Sequence, residues 1–249
     1  MLVVKNLETD IVFHCNLCCV DCSHLSPIRP KYFMSEDELK RDVTAMARLC
    51  HAQQFSLLGG EPTLHPKIDR LINIVKESGI SDLINITTHG MFLDKMSDDF
   101  WLMVNRMEIV VRGDKLSDSK IEFIKEKCHK YGVALTLFNH PQYIEIYRGN
   151  DWSEAETKRN FNSCSHRNCK YIQQGELYVC PGSSVIPSLM GLPVDYDGVD
   201  IDKLTEQTLE QFWNTTLPVI SCSRCMVPCN ISHPWRETTR ASWLRESTH

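Results

Sequence analysis

Four cysteines fall within eight residues, Cys15-Asn16-Leu17-Cys18-Cys19-Val20-Asp21-Cys22, and no other stretch restricts the chain as strongly. Read as Cys15-x3-Cys19-x2-Cys22, the spacing suits three corners of a cubane [4Fe–4S] cluster, which needs soft thiolate ligands. Three thiolates on a short loop leave one iron open to chelation by a small molecule. Cys18 is then a spare thiol, facing away or packing as a small hydrophobe. The competing pairing, Cys15-x2-Cys18 with Cys19-x2-Cys22, is that of two halves of a zinc site. The adjacent side chains of Cys18 and Cys19 diverge, which makes a single tetrahedral site awkward.

The chain has 249 residues, room for one domain of barrel size and a small appendage, and its 42% hydrophobic content is ample for a core. A net charge of −5 with interspersed signs leaves no nucleic-acid footprint. No apolar stretch approaches the roughly 20 residues of a membrane span. The N-terminus, Met1 to Lys5, has no signal-peptide pattern, so a cytoplasmic location is expected. There, clustered cysteines bind metal more often than they form disulfides.

Residues 8–14 read as a first strand ending directly at Cys15. Ser35-Glu36-Asp37-Glu38 predicts a capping box opening a helix with Leu39, Val43, Met46 and Cys50 on one face. Strands are predicted at 55–58, 83–87, 108–111 and 133–137, the last ending near Asn139 and His140. Helices are predicted at 67–79 with Gly79 as C-cap, at 97–105, and at 117–131 with Cys128 turned to the core. Strands alternating with helices predict a parallel sheet with right-handed crossovers. The fold class is therefore α/β, a partial (β/α) TIM-type barrel of about five or six parallel strands. In such barrels reactive residues sit at the C-terminal strand ends. Cys15, Glu61, Thr88 with His89, and Arg112 follow four successive strands there.

Cys15-x3-Cys19-x2-Cys22 followed by Gly59-Gly60-Glu61-Pro62 resembles the radical S-adenosylmethionine (SAM) superfamily. The resemblance implies a SAM-binding [4Fe–4S] cluster on Cys15, Cys19 and Cys22, and hydrogen-atom abstraction from a substrate. It implies that Gly59 and Gly60 let the backbone approach the methionine end of SAM, that Glu61 accepts from its ammonium, and that Pro62 belongs to the same cofactor-binding turn. Thr87, Thr88, His89 and Gly90 resemble the family's Thr-Asn-Gly strand end, with histidine in place of asparagine. A hydrogen-bonding role for them stands beside a purely structural one. Arg112 is a candidate for the SAM carboxylate or a substrate acid, and equally a plain solvated arginine. Asp21 stands where the family usually carries an aromatic residue near the adenine. His14 and His24 flank the cysteine loop as groups that satisfy the backbone.

Residues 141–163 read as a linker with a short helix near 152–162, dividing the chain into a barrel, 1–145, and an appendage, 146–249. The appendage holds Cys164, Cys169, Cys180, Cys222, Cys225 and Cys229. Tyr171 to Val179 reads as a hairpin turning near Gly175, residues 183–201 as loop, and 205–213 as a helix. Gly175-x4-Cys180 with Cys222-x2-Cys225 resembles the SPASM or Twitch extension of radical SAM enzymes. The Twitch form, with one auxiliary [4Fe–4S] cluster, suits six cysteines better than the seven-cysteine SPASM form and leaves two thiols unassigned. Trp213, Trp235 and Trp243 are read as packing this half or bordering a substrate. Barrel plus Twitch-like extension resembles the radical SAM dehydrogenases of aminocyclitol biosynthesis. The expectation is oxidation of an alcohol of a sugar, aminocyclitol or similar small molecule, with the auxiliary cluster as electron acceptor and a flavodoxin or ferredoxin as donor. An epimerase with a cysteine hydrogen donor and a peptide-modifying enzyme are the alternatives within the class. A zinc-binding interaction module and a plain iron–sulfur electron carrier are those outside it.

Overall fold

The computed structural model describes residues 1–139, 142–147 and 152–246; His140 lies outside them. Strand β1 (Leu2–Val12) is followed by helix α1 (Glu36–Ala47), β2 (Cys50–Gly59), α2 (Ile68–Ser78), β3 (Ile84–Thr88), α3 (Asp98–Met103), β4 (Arg106–Val111), α4 (Asp118–Tyr131) and β5 (Ala134–Asn139). All four pairings among these strands are parallel. After β6 (Gln142–Ile144) and α5 (Glu154–Ser163) comes the hairpin of β7 (Tyr171–Gln173) and β8 (Glu176–Tyr178). Then follow α6 (Ile186–Leu189), β9 (Val199–Asp200), α7 (Glu206–Trp213), β10 (Ser232–Pro234) and α8 (Arg240–Glu246).

One eight-stranded sheet runs in the order β5-β4-β3-β2-β1-β7-β8-β9. The fold is thus the expected partial barrel, with β7 added parallel to β1 through Glu8 and Tyr171. At the hairpin tip Gln174 and Gly175 both have positive φ, 54° and 85°, the conformation a two-residue turn between twisted strands requires. A separate two-stranded pairing joins β6 to β10.

Local chemistry sets the helix ends. Ser97 and Ser117 accept from backbone N–H groups three residues on, and Gly79 closes α2 at φ 70°. The capping box at Ser35 is only half formed. Ser35 Oγ accepts from Glu38 N at 3.1 Å, but the Glu38 carboxylate takes the Tyr32 hydroxyl instead. Cys50 is a core residue, 1% exposed, yet it opens β2 opposite Leu2 and does not extend α1. Helical spacing alone cannot see that the chain reverses at residues 48–49. The segment 183–201, read as loop, contains α6 and β9. β1 runs from Leu2 and stops at Val12, so Cys15 follows a short loop and not the strand directly.

The main core joins Leu7 and Ile11 of β1, Phe55 and Leu57 of β2, and Leu71 and Val75 of α2 with Ile172, Leu177 and Leu209 from the far end of the sequence. Helix α7, assigned by sequence to the appendage, therefore packs on the barrel. A second core gathers Leu25, Ile146, Tyr147, Ile186, Val227 and Trp243. Among the described residues no helix is long and apolar enough to cross a membrane.

Candidate active site

The turn after β2 is built around two glycines. A Cβ on Gly59 would lie 2.0 Å from the Val12 carbonyl oxygen, and one on Gly60 2.1 Å from that of His14. Gly60 N and Glu61 N donate to these same carbonyls, at 2.8 and 3.2 Å. The glycines are therefore demanded by the end of β1, which they fasten beside the cysteine loop.

Cys15, Cys19 and Cys22 line one cavity, together with Gly59, Gly60, Thr87, Thr88, His89 and Arg112, enclosing about 620 Å³ of empty space. Cys18 is absent from that wall. The structure thus brings together most of the residues singled out from the barrel half. Glu61 and Pro62 lie behind the wall. The Glu61 carboxylate, fully buried, accepts from Thr63 N at 3.1 Å, from His89 N at 3.0 Å and from the hydroxyls of Thr63 and Thr88. It braces the ends of β2 and β3 against each other. His89 Nδ1 accepts from Met91 N at 3.1 Å, so the proton sits on Nε2, facing Asn16 Oδ1 at 2.8 Å and Glu61 Oε2 at 3.2 Å. Burial holds the His89 pKa below the usual imidazole range, keeping the ring neutral. Arg112 stacks over Tyr143, 4.7 Å from the ring centre.

Several contacts of this loop carried no sequence signal. Trp235 Nε1 donates to Cys19 Sγ at 3.3 Å, and Leu17 N to Cys15 Sγ at 3.3 Å. Asp21 Oδ1 accepts from Ile146 N at 3.1 Å, and its Oδ2 meets His233 Nε2 at 2.8 Å. Val20 N bonds Arg236 O, and Thr238 N bonds Cys18 O. The C-terminal segment 233–238 therefore straps the cysteine loop, and Asp21 is its tether. His24 pairs through Nδ1 with buried Asp10 at 2.8 Å, and Arg29 completes that ion pair, so His24 serves a carboxylate and not the backbone.

In the appendage Cys164, Cys180, Cys222 and Cys225 line a second cavity of about 550 Å³, walled mainly by apolar groups such as Phe161, Val179, Ile186 and Val227. Trp243 packs beneath it in the second core. Cys169 and Cys229 do not line it. Burial pushes the Cys19 and Cys180 thiols up to about 11 and Cys222 up to about 12, and neighbouring thiols push the same way. Such sets become thiolate only around a strongly positive centre. Among the described residues no three His, Cys, Asp or Glu converge closely enough for a single metal ion. The thiols instead ring cavities, an arrangement suited to a polynuclear cluster whose sulfur ligands stand apart.

A third cavity lies between these two. It shares Ser23, His24, Leu58 and Thr87 with the first and Ser23 and His166 with the second. Its wall is polar: Asn6 and Glu8 from β1, Gln54 and Ser56 from β2, Thr87 from β3, Glu108 from β4, and Cys169. Asn6 donates to Glu8 at 2.5 Å, and Ser56 donates to Asn6 at 3.2 Å. Burial raises the Glu8 pKa to about 7, with Asp10 and Glu108 adding to the rise and His24 opposing it. Sequence reading passed over this face. Its signal is a period of two in polar residues, Asn6-x-Glu8-x-Asp10, Gln54-x-Ser56 and Asn85-x-Thr87.

The family model of the radical SAM superfamily matches residues 11–170. A GTP 3′,8-cyclase of Microcystis aeruginosa is 31% identical over 87 residues, 34% of this chain and 26% of that protein. A GTP 3′,8-cyclase of Limosilactobacillus fermentum is 27% identical over 154 residues, 60% of this chain and 39% of that protein. The chain thus spans about a quarter to two fifths of these two relatives. Among solved structures, a histidine-tagged anSMEcpe with bound AdoMet matches with a TM-score of 0.56 at 15% identity, over 86% of this chain and 80% of that one. That likeness is one of fold, and it agrees with the parallel strands described above. With the family model covering more than half of its length, this chain belongs to the radical SAM superfamily, whose members use a [4Fe–4S] cluster and SAM.

Proposed function

We propose that the chain is a radical SAM oxidoreductase that oxidises an alcohol of a small molecule held between two iron–sulfur clusters. The observation that carries this reading is the row of three adjoining cavities, cysteine-lined, polar, and cysteine-lined, with Ser23 on the wall of all three. On this reading Cys15, Cys19 and Cys22 hold the SAM cluster, while Gly59, Gly60 and Arg112 face the amino-acid end of SAM. Glu61 positions Thr88 and His89. Cys164, Cys180, Cys222 and Cys225 hold an auxiliary [4Fe–4S] cluster, which places residues 146–249 in a Twitch-like role beside the barrel of 1–145. SAM on a reduced cluster supplies hydrogen-atom abstraction, which is the cofactor's own chemistry. The chain's task is to hold one C–H bond toward the first cavity and to exclude stray reductant. Reducing electrons would come from a flavodoxin or ferredoxin.

The polar middle cavity supports a small hydroxylated substrate over a nucleotide, because no lysine or arginine is among its described lining residues. One observation favours a second reading. Cys169 stands outside the four-cysteine cavity, lines the middle one, and lies beside the Glu8 carboxylate. A thiol there suits hydrogen-atom return, as in an epimerase. Turnover in deuterated water separates the two. The oxidase reading expects one 5′-deoxyadenosine per product, a carbonyl product and no deuterium on carbon. Deuterium at the reacting carbon, lost on Cys169→Ala, overturns it in favour of the epimerase. Absence of 5′-deoxyadenosine with every reductant would remove both.

A further inference from the structure

The C-terminal strap is fastened to the cysteine loop as a strand would be. Cys19 faces Glu237 in an antiparallel bridge, with Val20 N bonded to Arg236 O at 3.1 Å and Thr238 N to Cys18 O at 2.8 Å. Backbone pairing on both sides of Cys19 fixes what the side chain of Trp235 can reach. Ahead of it, β10 pairs with β6. The indole is also seated from the side of β4. A Cβ on Gly113 would lie 2.8 Å from Trp235 Cζ3, so this glycine leaves the room the ring occupies. Lys115 Nζ stands 5.9 Å from the ring centre and pairs with Glu237 at 2.6 Å, so its charge is answered within the strap. Trp235 packs with Cys15, Cys22 and Met91 around Leu17, Cys19 and Tyr143. A tryptophan that only covers apolar surface can leave its N–H to water. Here Nε1 donates to Cys19 Sγ at 3.3 Å, and Cys19 is 7% exposed. Arg112 and Glu237 act on the same sulfur with opposite signs, which leaves the indole N–H as its direct polar contact.

We propose that Trp235 is a positioning residue for reduction of the SAM cluster: its indole N–H, held on Cys19 Sγ by the strap, raises the potential at which that cluster takes its electron. An added electron increases the negative charge on the sulfur ligands, so a donor fixed at one of them favours the reduced state. One electron from a low-potential donor enters the cluster, the indole keeps its proton, and no bond forms or breaks. The proposal rests on Cys19 being a ligand of that cluster. Reconstituted full-length enzyme is titrated with dithionite and mediator dyes without SAM, and the reduced clusters are followed by electron paramagnetic resonance. The SAM cluster is the one whose signal changes when SAM is added afterwards. In Trp235→Phe its reduced-to-oxidised ratio at a fixed potential should fall about tenfold, a shift of about 59 mV to more negative values for one electron. The auxiliary couple should stay in place. Gly113→Ala keeps the N–H but crowds the ring, and it should move the same couple the same way. In the parent carrying nitrogen-15-labelled tryptophan, the reduced SAM cluster should show a nitrogen-15 coupling that Trp235→Phe removes. An unmoved or more positive midpoint in iron-replete Trp235→Phe overturns the proposal, and so does a labelled parent without the coupling. The labelled parent decides even where the variant does not hold iron. Cys19→Ala tests the underlying assignment separately, because a SAM-responsive cluster retained there removes Cys19 as a ligand whatever Trp235 does.

Discussion

At Gly60 one added methyl group decides whether the cysteine loop has a place to sit. The nearest atoms are backbone, His14 O at 2.1 Å and Cys15 N at 2.8 Å, so nothing flexible can yield. Gly60→Ala should cost about 1–3 kcal/mol, the range for overpacking, and should lower iron incorporation as well. Gly79→Ala meets nothing within 4 Å and bears only the left-handed backbone penalty at φ +70°, about 1–2 kcal/mol, with iron content intact. Melting curves beside iron analysis separate the two effects. A similar contrast holds among the appendage cysteines. Two [4Fe–4S] clusters require about eight irons per chain. Single alanine variants of Cys164, Cys180, Cys222 or Cys225 should fall toward half of that, whereas Cys169→Ala and Cys229→Ala should retain it. Full iron in Cys180→Ala with loss in Cys229→Ala would show the ligand set to be drawn wrongly.

Among elements, the turn after β2 is fixed to the loop preceding α1 by His65. Its Nδ1 accepts from Lys67 N at 3.1 Å and its Nε2 donates to the Met34 carbonyl at 2.9 Å, so the ring is held neutral with its proton on Nε2. Burial is the main cause of its lowered pKa, with Lys67 adding to it. Above the ordinary histidine pKa, about 6.5, folded and unfolded chains are both neutral here and pH has no effect. As pH falls below that value the unfolded chain takes up a proton that the folded one resists. Stability should then drop by up to about 1.4 kcal/mol per pH unit for this one group, until the folded pKa is reached. His65→Gln should flatten the slope of melting temperature against pH between about 6.5 and about 5 relative to the parent. An unchanged slope would assign the acid sensitivity to other groups, such as His89.

Over the whole molecule, the two halves of the sequence share cores and cavities. β7 extends the barrel sheet, Leu209 of α7 enters the main core, and residues 233–238 strap the cysteine loop from the far end of the chain. Ending the chain after Ile231 should leave the sheet folded, because β1 to β5 and β7 to β9 lie upstream. It should expose the loop by removing the Trp235 donor and the Asp21 partner His233. The expected outcome is a far-ultraviolet spectrum that loses only the contribution of α8 and β10, with faster loss of iron–sulfur absorbance in air. Equal rates for the parent and the shortened chain would show that the strap does not shield the cluster.

What the sequence determined by itself was whatever depends on residues near one another along the chain. The Cys15-x3-Cys19-x2-Cys22 loop, the Gly79 stop and the turn at Gly175 are local geometry, and all were legible there. The alternation of apolar strands and helices likewise carried the partial barrel, because burial on a parallel sheet writes a pattern into each segment separately. Only tertiary structure decided which four of six appendage cysteines share a cavity, why Gly59 and Gly60 must be glycine, and where Asp21 finds His233. These are relations between segments up to 212 positions apart, and side-chain direction settles them. The polar inner face had the same fate. Its residues alternate openly along each strand, yet only closing the strands around one cavity turns isolated polar positions into one continuous wall, because sequence records which face a side chain takes and not what that face encloses.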